Sequence, residues 1–184
     1  VGSDMWGFDQ GWNEDIVVGG RYHNGNTAIA DFYQPKALRM GGAESPTGWL
    51  MKGKSRHVAF NDLGPGWILP SSAESSTEGR FPFNKYPNMD EYGGRRGNMV
   101  FHTNYYEVIF LGEGNSFWKS NDMGQSFELL HNFGQRVRYL QISYSDPNVI
   151  YADVVNQGLH KSEDGGYTWI AKPSLTNGEN GESF

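Results

Sequence analysis

Lys161-Ser162-Glu163-Asp164-Gly165-Gly166-Tyr167-Thr168-Trp169 (KSEDGGYTW) sets two carboxylates beside two glycines, with a hydroxyl and an indole close by. Such a stretch suits a metal loop, a catalytic acid or a tight hairpin. A second copy separates these readings. Laying residues 107–127 over 148–169 with one inserted residue brings Val108-Ile109-Phe110 onto Val149-Ile150-Tyr151 and Lys119-Ser120 onto Lys161-Ser162. Asp122 then meets Asp164, Gly124 meets Gly166, Ser126 meets Thr168 and Phe127 meets Trp169. A carboxylate that recurs with its turn reads as a partner for that turn's own N–H groups. Glu163 stands opposite Asn121, a variable position, and is expected to face solvent.

Ser120 and Ser162 are 42 positions apart. A period in the low forties, built from short strands, is what a propeller blade or similar β repeat produces. The strands of one unit can be read directly. Residues 138–144 are rich in β formers, Ser145-Asp146-Pro147-Asn148 is turn chemistry, and 149–154 is an apolar strand. Asn156-Gln157-Gly158 turns again, 158–161 is a third strand, and KSEDGGYTW leads into a fourth. Nothing here has helical periodicity. Composition agrees: Gly 25, Tyr 10, Phe 11 and Trp 6 in 184 residues point to short strands joined by turns. The expected class is all-β, with four-stranded antiparallel blades.

The S-x-D-x-G-x-x-W pattern resembles the Asp box, or bacterial neuraminidase repeat. The Asp ties up backbone N–H groups, the Gly supplies φ > 0, the hydroxyl links strand to loop, and the aromatic packs between hairpins. Ser120, Asp122, Gly124 and Phe127 form one box, and Ser162, Asp164, Gly166 and Trp169 another. Asp62, Gly64 and Trp67 keep the D-x-G-x-x-W spacing of a weaker third, with Phe60 in place of the leading Ser. The resemblance extends to sialidases, the sortilin family, xyloglucan-cleaving endoglucanases and secreted bacterial propellers. It implies that these residues hold the fold on the blade periphery, away from the central ligand-binding face.

Three units follow from this: a divergent blade over 5–69 with an insertion at 34–54, and blades over 98–134 and 135–175. Residues 70–97, rich in Ser, Gly, Pro and charge, read as an inter-blade loop. Closed propellers have four or more blades, so three imply a segment of a larger propeller, completed by its remaining blades or by another chain. Long connections on β scaffolds often carry binding contacts. The candidates are Glu44, Trp49, Arg80, Tyr92, Arg95 and Arg96.

The expected function is a non-catalytic binding or structural module, extracellular or on the cell surface, for a glycan or protein ligand. The alternative is part of a glycoside hydrolase of xyloglucanase or sialidase type. A glycanase needs two carboxylates across a cleft. Glu44, Asp62, Asp90 and Glu91 are available, but no motif selects a pair, and the catalytic residues stay unassigned. For a sialidase, Gly79-Arg80-Phe81-Pro82 only partly echoes the early arginine motif. His23, His57, His102, His131 and His160 lack metal-ligand spacing, so neither metal nor cofactor is expected. A net charge of -6 without a basic tract argues against nucleic acid, and no apolar run is long enough to span a membrane as a helix. Cysteine is absent, which removes disulfides and thiolate metal sites.

Overall fold

Short runs of β-branched and aromatic residues, broken every few positions by Gly, Asn, Asp or Pro, give sheets of many short strands. A computed structural model describes residues 5–10, 16–21, 25–30, 37–40, 48–50, 58–61, 66–69, 78, 81–82, 99–105 and 107–172. Strands β1 (Met5–Gln10), β2 (Ile16–Arg21), β3 (Gly25–Ala30) and β4 (Ala37–Met40) form the first sheet. The second holds β5 (Gly48–Leu50), β6 (Val58–Asn61), β7 (Gly66–Leu69) and β8 (Phe81–Pro82). The third holds β9 (Met99–Phe101), β10 (Ile109–Glu113), β11 (Ser116–Ser120) and β12 (Glu128–Asn132). The fourth holds β13 (Val137–Ile142), β14 (Ile150–Val154), β15 (Gly158–Ser162) and β16 (Ile170–Ala171). Each sheet is an antiparallel meander in chain order.

The described chain therefore carries four sheets where the sequence suggested three units. The stretch 5–69, read as one long blade, holds seven strands of two sheets, and β4 and β5 both lie inside the supposed insertion at 34–54. Those strands are four and three residues long, too short to show a period against their glycine-rich surroundings. The stretch 70–97 is likewise not all connection. Its residues Phe81 and Pro82 form β8, which pairs with Ile68 and Trp67. A two-residue strand containing proline has no sequence signature, and proline is tolerated there because the strand lies at a sheet edge.

The third and fourth sheets follow the repeat closely. Strands β10 and β11 pair from Ile109↔Ser120 to Glu113↔Ser116, and β14 and β15 from Ile150↔Ser162 to Val154↔Gly158. Gly114-Asn115 turns the first hairpin in two residues, whereas Val155-Asn156-Gln157 uses three. This is where the inserted residue sits. Asn156 takes φ 60, a left-handed conformation that asparagine tolerates better than most residues.

The core lies between sheets. Val108, just before β10, and Phe110 and Phe117 of the third sheet meet Val137, Leu140 and Ile150 of the fourth in one buried cluster. Burying such side chains contributes about 1.5–3 kcal/mol each. The first strand of the fourth sheet, β13, packs on β9 and β10, as β5 packs on β1 and β2. Gly112 makes the close approach possible, because a Cβ there would lie 2.6 Å from Val137 Cγ1. Burial also distinguishes the two sheets. Ile109, Phe110 and Leu111 are buried consecutively, so both faces of β10 are covered. In β14 only Ile150, Ala152 and Val154 are buried. On the other face Asp153 accepts a fork from Arg138, with Nε 2.8 Å from Oδ2 and Nη2 3.0 Å from Oδ1. At this partial exposure such a pair is worth about 0–1 kcal/mol, so the apolar seam dominates the junction.

Candidate functional site

In each meander the connections alternate between two ends. One end carries the loops after the first and third strands; the other carries the loops after the second strand and the crossing to the next sheet. The two ends differ in chemistry.

At the first end, the 120–127 and 162–169 loops repeat one hydrogen-bond pattern. Ser120 Oγ donates to Asp122 Oδ1 (2.8 Å) and accepts the N–H of Gly124 (2.8 Å). Ser162 Oγ donates to Asp164 Oδ1 (2.8 Å) and accepts the N–H of Gly166 (2.8 Å). Asp122 takes the N–H (2.9 Å) and hydroxyl (2.6 Å) of Ser126, and Asp164 those of Thr168 at the same two distances. Asp164 also accepts the N–H of Tyr167 at 3.0 Å. The Thr168 hydroxyl and N–H, with help from Ser162 and Tyr167, hold the Asp164 carboxyl down at about 2. Partial burial pushes Asp122 up, but bonds from Ser126, Ser120 and Gln125 outweigh it and leave its pKa lowered. Each carboxylate is saturated by its own loop. Neither is poised to give or take a proton near neutral pH.

Each loop is also tied to the loop after the first strand of its sheet. Met123 N–H donates to Glu107 O and Gly165 N–H to Asn148 O, both at 2.9 Å. The neighbouring His102 accepts the N–H groups of Asn104 (3.1 Å) and Tyr105 (3.2 Å) on Nδ1, which places its own proton on Nε2. Burial and nearby Lys119 lower its pKa, with Glu107 opposing them. Glu163 is exposed, as its variable position suggested, and it pairs with Lys161.

The 162–169 loop does more than close its own hairpin. Trp169 donates Nε1–H to Gly166 O at 2.9 Å and packs edge-on against Phe117 (5.0 Å) and Phe133 (5.1 Å), both outside its sheet. Gly166, at φ 96, lies so close to Phe117 that a Cβ would fall 2.2 Å from the ring. The loop is thus pressed onto the third sheet.

At the opposite end, three connections are laced into one surface. In the 133–136 crossing Phe133 N–H donates to Asn115 O (2.9 Å), and Arg136 O accepts Val155 N–H (2.9 Å). Val137 N–H donates to Gly114 O (2.8 Å), and Gln157 Nε2 donates to Phe133 O (2.9 Å). Two of the amides on this surface are oriented by local bonds. Asn115 Oδ1 accepts Ser116 Oγ at 3.0 Å, and Asn132 Oδ1 accepts Gly134 N–H at 2.8 Å. Those bonds turn each side-chain NH₂ away from its carbonyl contact, while exposed Gln135, Arg136 and Asn156 add further donors and acceptors.

Comparison with solved structures defines the architecture. The chain superposes on an ancestral GH74 enzyme with a TM-score of 0.65 at 16% identity, over 94% of this chain and 24% of that one. On the GH74 xyloglucanase from Xanthomonas campestris the values are 0.60 and 12%, over 92% and 30%. The four sheets are blades of a β-propeller. PorZ of Porphyromonas gingivalis, an essential bacterial surface component of the type-IX secretion system, gives 0.58 at 9% identity, over 97% of this chain and 22% of that one. At these identities the likeness is one of fold, and the chain spans under a third of each of these three proteins. No protein-family model matches the chain, and no curated protein matches it in sequence.

The residues singled out in the sequence fall unevenly on these blades. Ser120, Asp122 and Gly124, with Ser162, Asp164, Gly166 and Trp169, lie together in their loops. Phe127 is half-buried in the 120–127 loop. Asp62 and Gly64 lie outside the described residues. Trp67 belongs to β7, the third strand of its blade, where it pairs with Phe60 and Pro82. In the other two loops the aromatic follows the third strand, so Trp67 stands one hairpin too early for the same role. Glu44, Arg80, Tyr92, Arg95 and Arg96 lie outside the described residues, as do His23, His57, Asp90 and Glu91. Trp49 is in β5, paired with Ala59. Among the described residues no group of three or more His, Asp or Glu side chains could hold a metal ion, and no helix is long and apolar enough to cross a membrane. Sequence reasoning missed the laced end. Its amides belong to turns, which read locally as hairpin chemistry; only the bonds between connections unite them.

Proposed function

We propose that these blades belong to an extracellular or cell-surface propeller of the Asp-box type, and that they act as a non-catalytic binding module. Further blades, from the same protein or another chain, complete the ring. The Asp boxes stabilise their hairpins, and the ligand, a glycan or a protein, is taken at the opposite end. The carrying observation is the 133–136 crossing, bonded to the turns on both sides so that Asn115, Asn132 and Arg136 share one braced surface. Amides oriented by local bonds suit a polyhydroxyl ligand, because little of their side-chain entropy is lost on binding, and the exposed Arg136 guanidinium adds a charged donor beside them. The surface setting of PorZ supports the location.

The two GH74 neighbours favour a second reading, part of a glycoside hydrolase acting on polysaccharide. Its two carboxylates would have to be others than the three aspartates that the described blades tie up. The described Asp122, Asp164 and Asp153 are all committed to structural partners. Affinity electrophoresis of the chain in gels containing xyloglucan separates the readings when combined with a reducing-end assay on the same polymer. Binding is expected to retard the chain, to weaken at least five-fold in Asn115→Ala/Arg136→Ala, and to proceed without new reducing ends. Release of reducing ends would favour the hydrolase, and retardation unaffected by the double substitution would remove the laced end as the site.

A further inference from the structure

Two histidines sit where the third and fourth blades meet. His131 on β12 lies 4.6 Å from Phe133, ring to ring, and His160 on β15 lies 5.3 Å from the same phenyl. Trp169 closes the group, 5.1 Å from Phe133 and 6.3 Å from His131. Phe133 is buried and both imidazoles are half-buried. One aromatic wedge thus carries an imidazole from each blade. His160 Nδ1 lies 3.2 Å from Gly158 O, which leaves Nε2 as its open position when Nδ1 holds the proton.

We propose that this junction is a pH-responsive seam, held firmly at neutral pH and loosened when mild acid protonates His131. A charged His131 would sit half-buried in this wedge, where the charge of His160 opposes it. The charged side chains on the surrounding elements do not relieve this. Lys119 on β11 lies over the Phe110 and Tyr167 rings, Glu128 on β12 stands opposite Lys119, and Lys161 on β15 pairs with Glu163. Arg136 in the crossing and Lys172 beyond β16 add only positive charge. Arg138 and Asp153 satisfy each other on the far face of the fourth blade. Burial, and then the charge of His160, lower the pKa of His131. The sign follows from linkage. The unfolded chain binds the proton more readily, so this stabilisation is complete above about pH 6.5 and is lost as pH falls through the lowered value. Protonated imidazole can gain attraction from aromatic faces. Here burial and repulsion oppose that gain.

Hydrogen exchange of the 184-residue chain, corrected for intrinsic rates, tests the seam at pH 7.5 and 5.5. Peptides covering 133–137 and 155–160 are expected to open several-fold more readily at the lower pH, while 109–113, in the second strand of the third blade, keeps its protection. His131→Phe retains an aromatic ring without the titration and should abolish the difference, as should His131→Gln/His160→Gln where it folds. His102→Gln, away from the seam, should leave the difference in place. Equal opening at both pH values in the wild type, or a difference that survives His131→Phe, would overturn the proposal.

Discussion

The 120–127 and 162–169 loops share one Ser–Asp hydrogen-bond frame, yet they are fastened to different things. In both, one Ser hydroxyl and one Asp carboxylate gather the turn's N–H groups at nearly identical distances. The differences lie at positions that make no part of that polar frame. Where the second loop has Gly165 at φ 75, the first has Met123 at φ 58, a conformation that costs an L side chain about 1–2 kcal/mol. Where the first has Phe127, the second has Trp169, seated on Phe117 and Phe133. The polar frame shapes the turn, and the glycine and aromatic positions decide whether the turn also joins blades.

The comparison can be broken most forcefully at Gly166. Alanine there meets the buried Phe117 ring and keeps an unfavourable φ, two costs of about 1–3 and about 1–2 kcal/mol. Chemical denaturation should show a loss of about 3 kcal/mol for Gly166→Ala. A loss below about 1 kcal/mol would mean that the loop is not pressed onto the third blade.

Asp122→Ala and Asp164→Ala probe what the loops share. Each leaves N–H groups without their acceptor, but the Ser126, Tyr167 and Thr168 groups are exposed enough for water to take over. Losses of about 1–2 kcal/mol are expected for both, with ligand binding by the folded fraction unchanged. A large loss of binding at unchanged stability would refute the structural role. Acid should tell the same story. Both carboxyls have folded pKa values below the unfolded value near 3.8, so their stabilisation is present above about pH 4 and fades as pH falls through the folded value, which for Asp164 is about 2. Each substitution should flatten the melting-temperature profile in that window.

The smallest expected effect is the most specific. Exchanging the residues that follow the aspartates should move the two loops in opposite directions: Met123→Gly stabilises by about 0.5–1 kcal/mol and Gly165→Ala destabilises by about 1 kcal/mol. Part of the gain at Met123 is offset by burial lost with its half-buried side chain. Shifts of the same sign would show that the two turns are strained differently despite their common frame.

The 42-position repeat, the strand order of the last two blades and the turn role of Asp122 and Asp164 were all legible in the sequence, because each depends on residues close along the chain. The hydroxyl and carboxylate of each loop act within a few positions, and their spacing carries the geometry with it. The separation of 5–69 into two blades was not legible. Strands as short as Gly48–Leu50 exist because a neighbouring strand completes their hydrogen bonds, and local preference alone does not mark them. Trp67 shows the same limit, since its spacing imitates the two later loops while its pairing makes it part of a strand. The sequence by itself determined an all-β repeat with self-satisfied acidic turns. Only the tertiary structure decided how the blades join, seating Gly166 and Trp169 on Phe117, setting His131 and His160 about one phenyl ring, and lacing the opposite turns together. Those contacts unite residues from different strands and blades, and their energy comes from burial and close approach that no single stretch of chain encodes.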